Sequence, residues 1–312
     1  MRNSENIRVL ARDGIRIGRK LRNKPLSIIG IIVVFTYALT IPPPPRIIPI
    51  VLGISTVRPS VATNNYQPQS PYISDSVAPE ISAATGAVFD LKTHTFLYEK
   101  NSHDKMLPAS LTKIATAVTA LQKCSADTIL TVSDIEIDGS QMGLIEGEQI
   151  SVKNLLYGLF LSSGNDAAKT LSDGCFSGET KKMNELAAFL HLTDTHFSGP
   201  TGLEETDHYM SAYDLTILSA YAYTNPLIRE VSGETVITVA SQDNMRWHTL
   251  KNIHPLVGKR EGVVGLKTGW TENAGDCMVT IFTSDERSYI IAIMQSEDRK
   301  ADTDLLINWA IR

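Results

Sequence analysis

The chain has 312 residues, 43% of them hydrophobic and 20% charged, with a formal net charge of −5. That length accommodates one large core or two modest ones. The charge balance is that of an ordinary soluble domain, and it gives no electrostatic basis for nucleic acid as a partner.

The charge is unevenly placed. Residues 1–25 carry Arg2, Arg8, Arg12, Arg16, Arg19, Lys20, Arg22 and Lys24 against Glu5 and Asp13, which leaves the remainder clearly acidic. Residues 26–41, Leu26 to Ile41, then hold no charge at all. As a helix they span ~24 Å, slightly less than the ~30 Å hydrocarbon core of a bilayer. Snorkelling Lys24 and interfacial Tyr37 and Pro42 close the gap. The expectation is a single-pass transmembrane anchor with a basic cytoplasmic segment, residues 1–25, and a long C-terminal part outside. A cleaved signal peptide is the alternative, although its basic region is usually shorter and no Ala-x-Ala site follows here.

Residues 42–80 read as a linker. Pro42 to Pro45 is extended, and residues 56–80 are rich in Ser, Thr, Asn, Gln and Pro, with little apolar area to offset their ordering entropy. The apolar patch from Ile47 to Ile54 either lies in the membrane interface or prolongs the anchor.

The folded domain, residues 81–312, opens with two short strands, Ala87 to Asp90 and His94 to Tyr98. Pro108 precedes a pattern of helical period at Leu111, Ile114, Ala115, Val118 and Leu121. Further helices are expected over Val152 to Phe160, Asp166 to Ser172, Lys181 to Leu190 and Asp214 to Tyr223. Val263 to Leu266 is a candidate strand. The apolar runs Cys277 to Phe282 and Tyr289 to Met294 flank a hairpin signal at Ser284 to Arg287. Residues 301–310 close the domain as an amphipathic helix with Leu305, Leu306 and Trp309 on its apolar side. Strands, then many helices, then strands and a helix imply an α+β fold, an antiparallel sheet packed against a helical layer. Cys124, Cys175 and Cys277 show no metal-ligand spacing and are read as free and buried. A single Cys124–Cys175 bridge stays open as the alternative outside the cell.

Three short motifs carry chemistry. Ser110 and Lys113 stand three apart, so on a helix they share one face about a turn apart. Pro108 places Ser110 near that helix's N-terminus, where backbone N–H groups favour developing negative charge. A serine needs a base to become a nucleophile, and a partly buried Lys113 with a lowered pKa can serve. Ser163-Gly164-Asn165 breaks an apolar helix at a turn. Ser163 is a candidate proton relay between Lys113 and a leaving amine, and Asn165 a candidate donor to a substrate carbonyl and acceptor from Lys113. The bland reading of this stretch is a good turn with Asp166 as a helix cap. Lys267-Thr268-Gly269 follows the candidate strand, Lys267 supplying charge, Thr268 binding a carboxylate and Gly269 allowing close backbone approach. The N–H groups of Ser110 and Trp270 are then candidates for an oxyanion hole.

Taken in order, Ser110/Lys113, Ser163/Asn165 and Lys267/Thr268/Gly269 resemble the Ser-x-x-Lys, Ser-x-Asn and Lys-Thr-Gly motifs of penicillin-recognising serine enzymes. The resemblance is specifically to the low-molecular-mass D-alanyl-D-alanine carboxypeptidases. The phrasing of residues 107–113, 139–144, 162–168, 202–203, 208–215 and 265–271 matches as well, and the similarity covers residues 82–312. It implies a β-lactamase/transpeptidase-like fold and a bacterial cell-membrane enzyme acting outside the cytoplasm. Its substrates would be peptidoglycan stem peptides ending in D-Ala-D-Ala, with β-lactams as covalent inhibitors and no metal or cofactor. Ser110 would attack the penultimate D-Ala carbonyl with Lys113 as base, Ser163 would pass a proton to the departing D-Ala, and water would cleave the acyl-enzyme. Lys267 and Thr268 would hold the terminal carboxylate with Arg299 assisting.

Two departures accompany the resemblance. Many relatives continue into a C-terminal β-rich domain and an amphipathic membrane helix, whereas this sequence stops at Arg312, so tethering is expected from the N-terminal segment. Trp270 stands where His or Tyr is expected, which bears on substrate range and deacylation. A D,D-endopeptidase cutting peptidoglycan cross-links and a non-catalytic cell-wall receptor are the competing readings, with a β-lactamase disfavoured by the lack of Ser-Asp-Asn.

Overall fold

The computed structural model describes residues 77–133 and 138–311. The expected basic segment and anchor, and all but the last four residues of the expected linker, lie outside the described residues. Among those described, no helix is long and apolar enough to cross a membrane.

Five strands form one antiparallel sheet: β1 (Thr85–Asp90), β2 (Thr95–Lys100), β7 (Val263–Thr271), β8 (Gly275–Ser284) and β9 (Arg287–Ser296), in the order β2-β1-β9-β8-β7. Early and late parts of the chain are therefore neighbours, since β1 pairs with β9 along its whole length. Alternation decides the two faces. Phe89, Val279, Ile281, Ile290 and Ala292 point into the main core, while Val88, Met278, Phe282, Ile291 and Ile293 point into a second one. The long uninterrupted apolar runs of β8 and β9 reflect burial on both sides.

The main core lies beneath the helical layer. α1 (Lys113–Lys123) runs through its middle, packed against α2 (Val152–Leu161), α3 (Asn165–Phe176), α4 (Thr180–Phe189) and α5 (Ala212–Tyr223), while α6 (Pro226–Gly233) packs on α2, α5 and β7. Every residue of α1 from Lys113 to Ala120 is buried. Its small residues, Ala115, Ala117 and Ala120, let neighbouring helices approach closely. Ser151, Ser211 and Asn225 cap α2, α5 and α6 through their side chains.

The second core is covered by α7 (Arg299–Ala310), through Leu306, Ile307 and Trp309. Leu305 departs from expectation: it is 47% exposed, and Ile307 takes its place on the buried side. Asp302, also on that side, accepts from the Ser82 and Ala83 backbone N–H groups and from the Ser82 and Ser296 hydroxyls. It thereby ties α7 to the first described residues and to the end of β9.

Two short ribbons lie outside the sequence-based expectation: β3 (Ile129–Thr131) with β4 (Gln149–Ser151), and β5 (Val236–Ala240) with β6 (Trp247–Lys251). Their segments are too short or too mixed in polarity for periodicity to reveal them. α6 is hidden for the same reason, although Asn225-Pro226 is a clear start signal.

The cysteine reading is corrected. Cys124 and Cys175 form a disulfide that joins the end of α1 to α3, and only Cys277 among the three is free and buried. Closing a loop across a separation of 51 residues is worth about 4 kcal/mol in the chain-entropy model. We expect Cys175→Ser to lower unfolding stability by about 2–4 kcal/mol in urea titrations. Coincident transitions for the oxidised wild type and the variant would remove the bridge from the stability account.

Candidate active site

The three motifs converge where the sheet edge meets the helical layer. Pro108 opens a 3₁₀ turn, Ala109–Thr112, and α1 follows directly at Lys113. The turn type matters, because in 3₁₀ geometry residues i and i+3 eclipse one another instead of lying merely on one side. Lys113 Nζ accordingly donates to Ser110 Oγ at 2.8 Å and to the Thr201 carbonyl at 2.7 Å. Lys113 is 0% exposed. Burial draws its pKa down to about 7, against the opposing pull of Asp166's negative charge.

Ser163 sits in the turn between α2 and α3, and Asn165 is the first residue of α3; both are buried. Ser163 takes a positive φ of 58°. The nitrogen that reaches its Oγ is Lys267 Nζ, at 2.9 Å. Asn165 donates its side-chain amide to the Asp138 carbonyl, and its backbone N–H to the Ser140 carbonyl. Asp166, a candidate helix cap by sequence, has a larger role. Its carboxylate accepts from the N–H groups of Met142, Gly143, Leu144 and Ala167 at 2.9–3.0 Å. It thus pins the 139–144 loop against the Ser163–Asn165 turn.

Lys267, Thr268 and Gly269 lie on β7, the edge strand on this side. Lys267 is 1% exposed, and its Nζ donates to Ser163 Oγ and to the Thr268 carbonyl. Burial first, then the charges of Lys113 and Arg299, push its pKa well below the usual lysine range. Burial and the Lys267 charge likewise depress His254, behind the strand, to about 3. Gly269 is where β7 meets the nucleophile's turn. A Cβ there would stand 3.0 Å from Ser110 N and 3.1 Å from the Pro108 carbonyl. A side chain there would press on the nucleophile's turn, and glycine spares it that crowding.

Trp270 is 64% exposed at the rim, paired with Asp276 across the ladder. Arg299, at the start of α7, donates to the Gly269 carbonyl and pairs with Asp276, each at 3.2 Å. It braces the end of β7 from outside. Beyond Trp270, Glu204 accepts from the Asn273 backbone and side chain, joining the 201–207 loop to the β7–β8 turn.

Several contributors are invisible to sequence reasoning. Thr201 receives the Lys113 ammonium, and Thr116 Oγ1 donates to the neighbouring Pro200 carbonyl at 2.6 Å. Behind the turn, Thr112 Oγ1 bonds the Ala109 carbonyl at 2.9 Å and His208 Nε2 at 2.8 Å. Burial, then His196, depresses His208 to about 4, so its ring is neutral at neutral pH. Gly202 and His208 stand out in the sequence only as part of the motif surroundings; nothing local pairs either with Ser110.

A hydroxyl held by a buried lysine of near-neutral pKa, with a second buried lysine on a second serine, is equipped for covalent acyl transfer. The family model of D-alanyl-D-alanine carboxypeptidases matches residues 73–298. The chain belongs to this family. It is 33% identical over 211 residues to the D-alanyl-D-alanine carboxypeptidase DacF of Bacillus subtilis, covering 63% of this chain and 53% of that one. With DacD of Escherichia coli it shares 32% identity over 254 residues, covering 74% and 63%. The chain therefore spans between about half and under two thirds of the length of these relatives. The solved Streptomyces K15 DD-transpeptidase superposes with a TM-score of 0.71 at 30% identity, over 76% of this chain and 99% of that structure. The antiparallel sheet packed on helices is thus the fold of the penicillin-recognising carboxypeptidases and transpeptidases.

Proposed function

We propose that this protein is a serine-type, penicillin-sensitive D-Ala-D-Ala carboxypeptidase that trims peptidoglycan stem pentapeptides. The observation that carries the reading is the 2.8 Å contact between Ser110 Oγ and a fully buried Lys113 whose pKa is drawn to about 7. Neutral Lys113 takes the Ser110 proton as Oγ bonds to the penultimate D-Ala carbonyl carbon. The N–H groups of Ser110 and Trp270 receive the resulting oxyanion. The C–N bond then breaks, and the proton that Lys113 took from Ser110 passes to the departing D-Ala amine by way of Ser163. Water attacks the acyl-enzyme by the reverse proton route, freeing the shortened peptide and Ser110.

Lys267 and Thr268 hold the terminal carboxylate. The lowered pKa of Lys267 is compatible with this role, because a substrate carboxylate beside it favours the charged ammonium. Asn165 orients the substrate amide. Arg299 adds positive charge and steadies Gly269. β-Lactams acylate the same serine and leave slowly. Residues 26–41 anchor the enzyme with its catalytic domain outside the cytoplasm, a placement the Cys124–Cys175 disulfide supports through its need for an oxidising compartment.

Mass spectrometry of the full-length chain in detergent, with a D-Ala-D-Ala pentapeptide and separately with benzylpenicillin, tests the proposal. The expected result is loss of one D-Ala and a penicillin adduct on Ser110, both abolished in Ser110→Ala. Adduct without D-Ala release points to cross-link endopeptidase or receptor. D-Ala exchange for an added amine acceptor points to transpeptidation, the activity after which the Streptomyces K15 DD-transpeptidase is named. Absence of both products refutes the acyl-serine reading.

A further inference from the structure

The backbone immediately before the nucleophile is held in an unusual state. Ala109 has a φ of +47°, a left-handed conformation that an L-residue with a Cβ keeps only under constraint. Two groups act on its carbonyl directly, and a third holds one of them. The Thr112 hydroxyl donates to Ala109 O at 2.9 Å. His208 Nε2 lies 2.8 Å from the same hydroxyl. Gly202 presses on the carbonyl so closely that a Cβ there would be 1.8 Å from its oxygen.

The ring's tautomer follows from its other nitrogen. The Ser198 N–H donates to His208 Nδ1 at 3.1 Å, so Nδ1 is the acceptor and Nε2 carries the proton. One directed chain results, running Ser198 N–H to His208, His208 N–H to Thr112 and Thr112 O–H to Ala109 O, each bond polarising the next. Thr112 and His208 are buried. Neither is needed to deprotonate Ser110, because Lys113 already reaches it.

The Ala109 carbonyl and the Ser110 N–H are opposite ends of one planar peptide unit. Fixing the direction of the first fixes the direction of the second. We infer that Thr112 and His208 form a positioning relay that locks the Ala109–Ser110 peptide plane, aiming the Ser110 N–H at the oxyanion formed on the substrate carbonyl. This rests on the acyl-serine reading above and adds two positioning residues to it, neither of which touches substrate. A donor aimed in advance stabilises the transition state without reorganising during the reaction, which is why a misaligned plane slows the chemistry.

The test uses the full-length chain in detergent, with penicillin titration counting competent sites so that every rate is per active molecule. Thr112→Val keeps the shape and removes the donor. It is expected to slow both acylation by benzylpenicillin and hydrolysis of the acyl-enzyme by about ten- to a hundred-fold, since both pass through an oxyanion. Affinity for a D-Ala-like peptide boronate, whose tetrahedral adduct fills the same hole, should fall in step. Thr112→Ser, which retains the hydroxyl, should stay within about three-fold of wild type. His208→Gln, which can offer an N–H in place of Nε2, should fall between Thr112→Ser and His208→Leu.

A merely structural role predicts fewer competent sites at unchanged rates per site. That result, or equal losses in Thr112→Val and Thr112→Ser, overturns the inference while the wild-type adduct leaves the acyl-serine reading intact. If the wild type itself forms no adduct on Ser110, both fall. Should Thr112→Val fail to fold, the order of the two His208 variants decides alone.

Discussion

Lys113→Met is expected to lower the rate of Ser110 acylation by about a thousand-fold while leaving the protein folded. A positioned general base contributes about a hundred- to ten-thousand-fold, and here no second group is seen to bond Ser110 Oγ among the described residues. Methionine matches lysine in shape and removes an ammonium that is 0% exposed. Losing the hydrogen bond to Thr201 destabilises, and losing the desolvation penalty of the buried charge stabilises. The two nearly offset, so unfolding stability should stay within about 2 kcal/mol of wild type. The pH dependence carries the same signature. Only neutral Lys113 accepts the serine proton, so with a pKa of about 7 the acylation rate should rise about ten-fold per unit below neutrality and level off above it. Acylation kinetics from about pH 5 to about pH 9 measure this directly. A flat profile, or a Lys113→Met enzyme at wild-type speed, would require another base.

Gly202→Ala should be far more damaging than its single methyl suggests. The added Cβ would meet Ala109 O at 1.8 Å and Ala109 C at 2.5 Å, both backbone atoms that cannot swing aside. Gly202 also has a φ of +82°. Clash and left-handed strain add, and the turn carrying Ser110 must move to relieve them, so a loss above about 3 kcal/mol is expected together with loss of penicillin labelling. Gly147→Ala is the control. Its φ is +79°, yet a Cβ there meets nothing within 4 Å, so only conformational strain remains, about 1 kcal/mol. Similar urea midpoints for the two variants would mean that the loop around Gly202 yields readily and does not clamp Ala109.

The elements legible in the sequence are those with long, consistent patterning. β8 and β9 announce themselves by apolar runs about a polar turn, and α1 by its helical period after Pro108. What stays hidden has a common cause. α6 and the strands of the β5–β6 hairpin are only eight and five residues long, too short a window for periodicity to reveal them. Leu305 belongs on the inner side of α7 by residue type alone, whereas packing on the sheet chose Ile307. The cysteines look unpaired because nothing in sequence spacing brings Cys124 and Cys175 together; the packing of α1 beside α3 does.

The sequence by itself determined the chemistry that depends on short separations and on residue type. Ser110 and Lys113 lie one turn apart, so their meeting is a local matter once the turn forms, and the glycine at 269 declares a close approach before its partner is known. The tertiary structure decided everything that depends on path and burial. It brought Lys267 to Ser163 across 104 residues and joined Thr201, Gly202 and His208 to the back of the nucleophile's turn. It also turned Lys113 from an ordinary cation into a base poised near neutrality. That last change is physical in origin: what lowers the pKa of Lys113 is the removal of water from around it, and only the packed fold removes it.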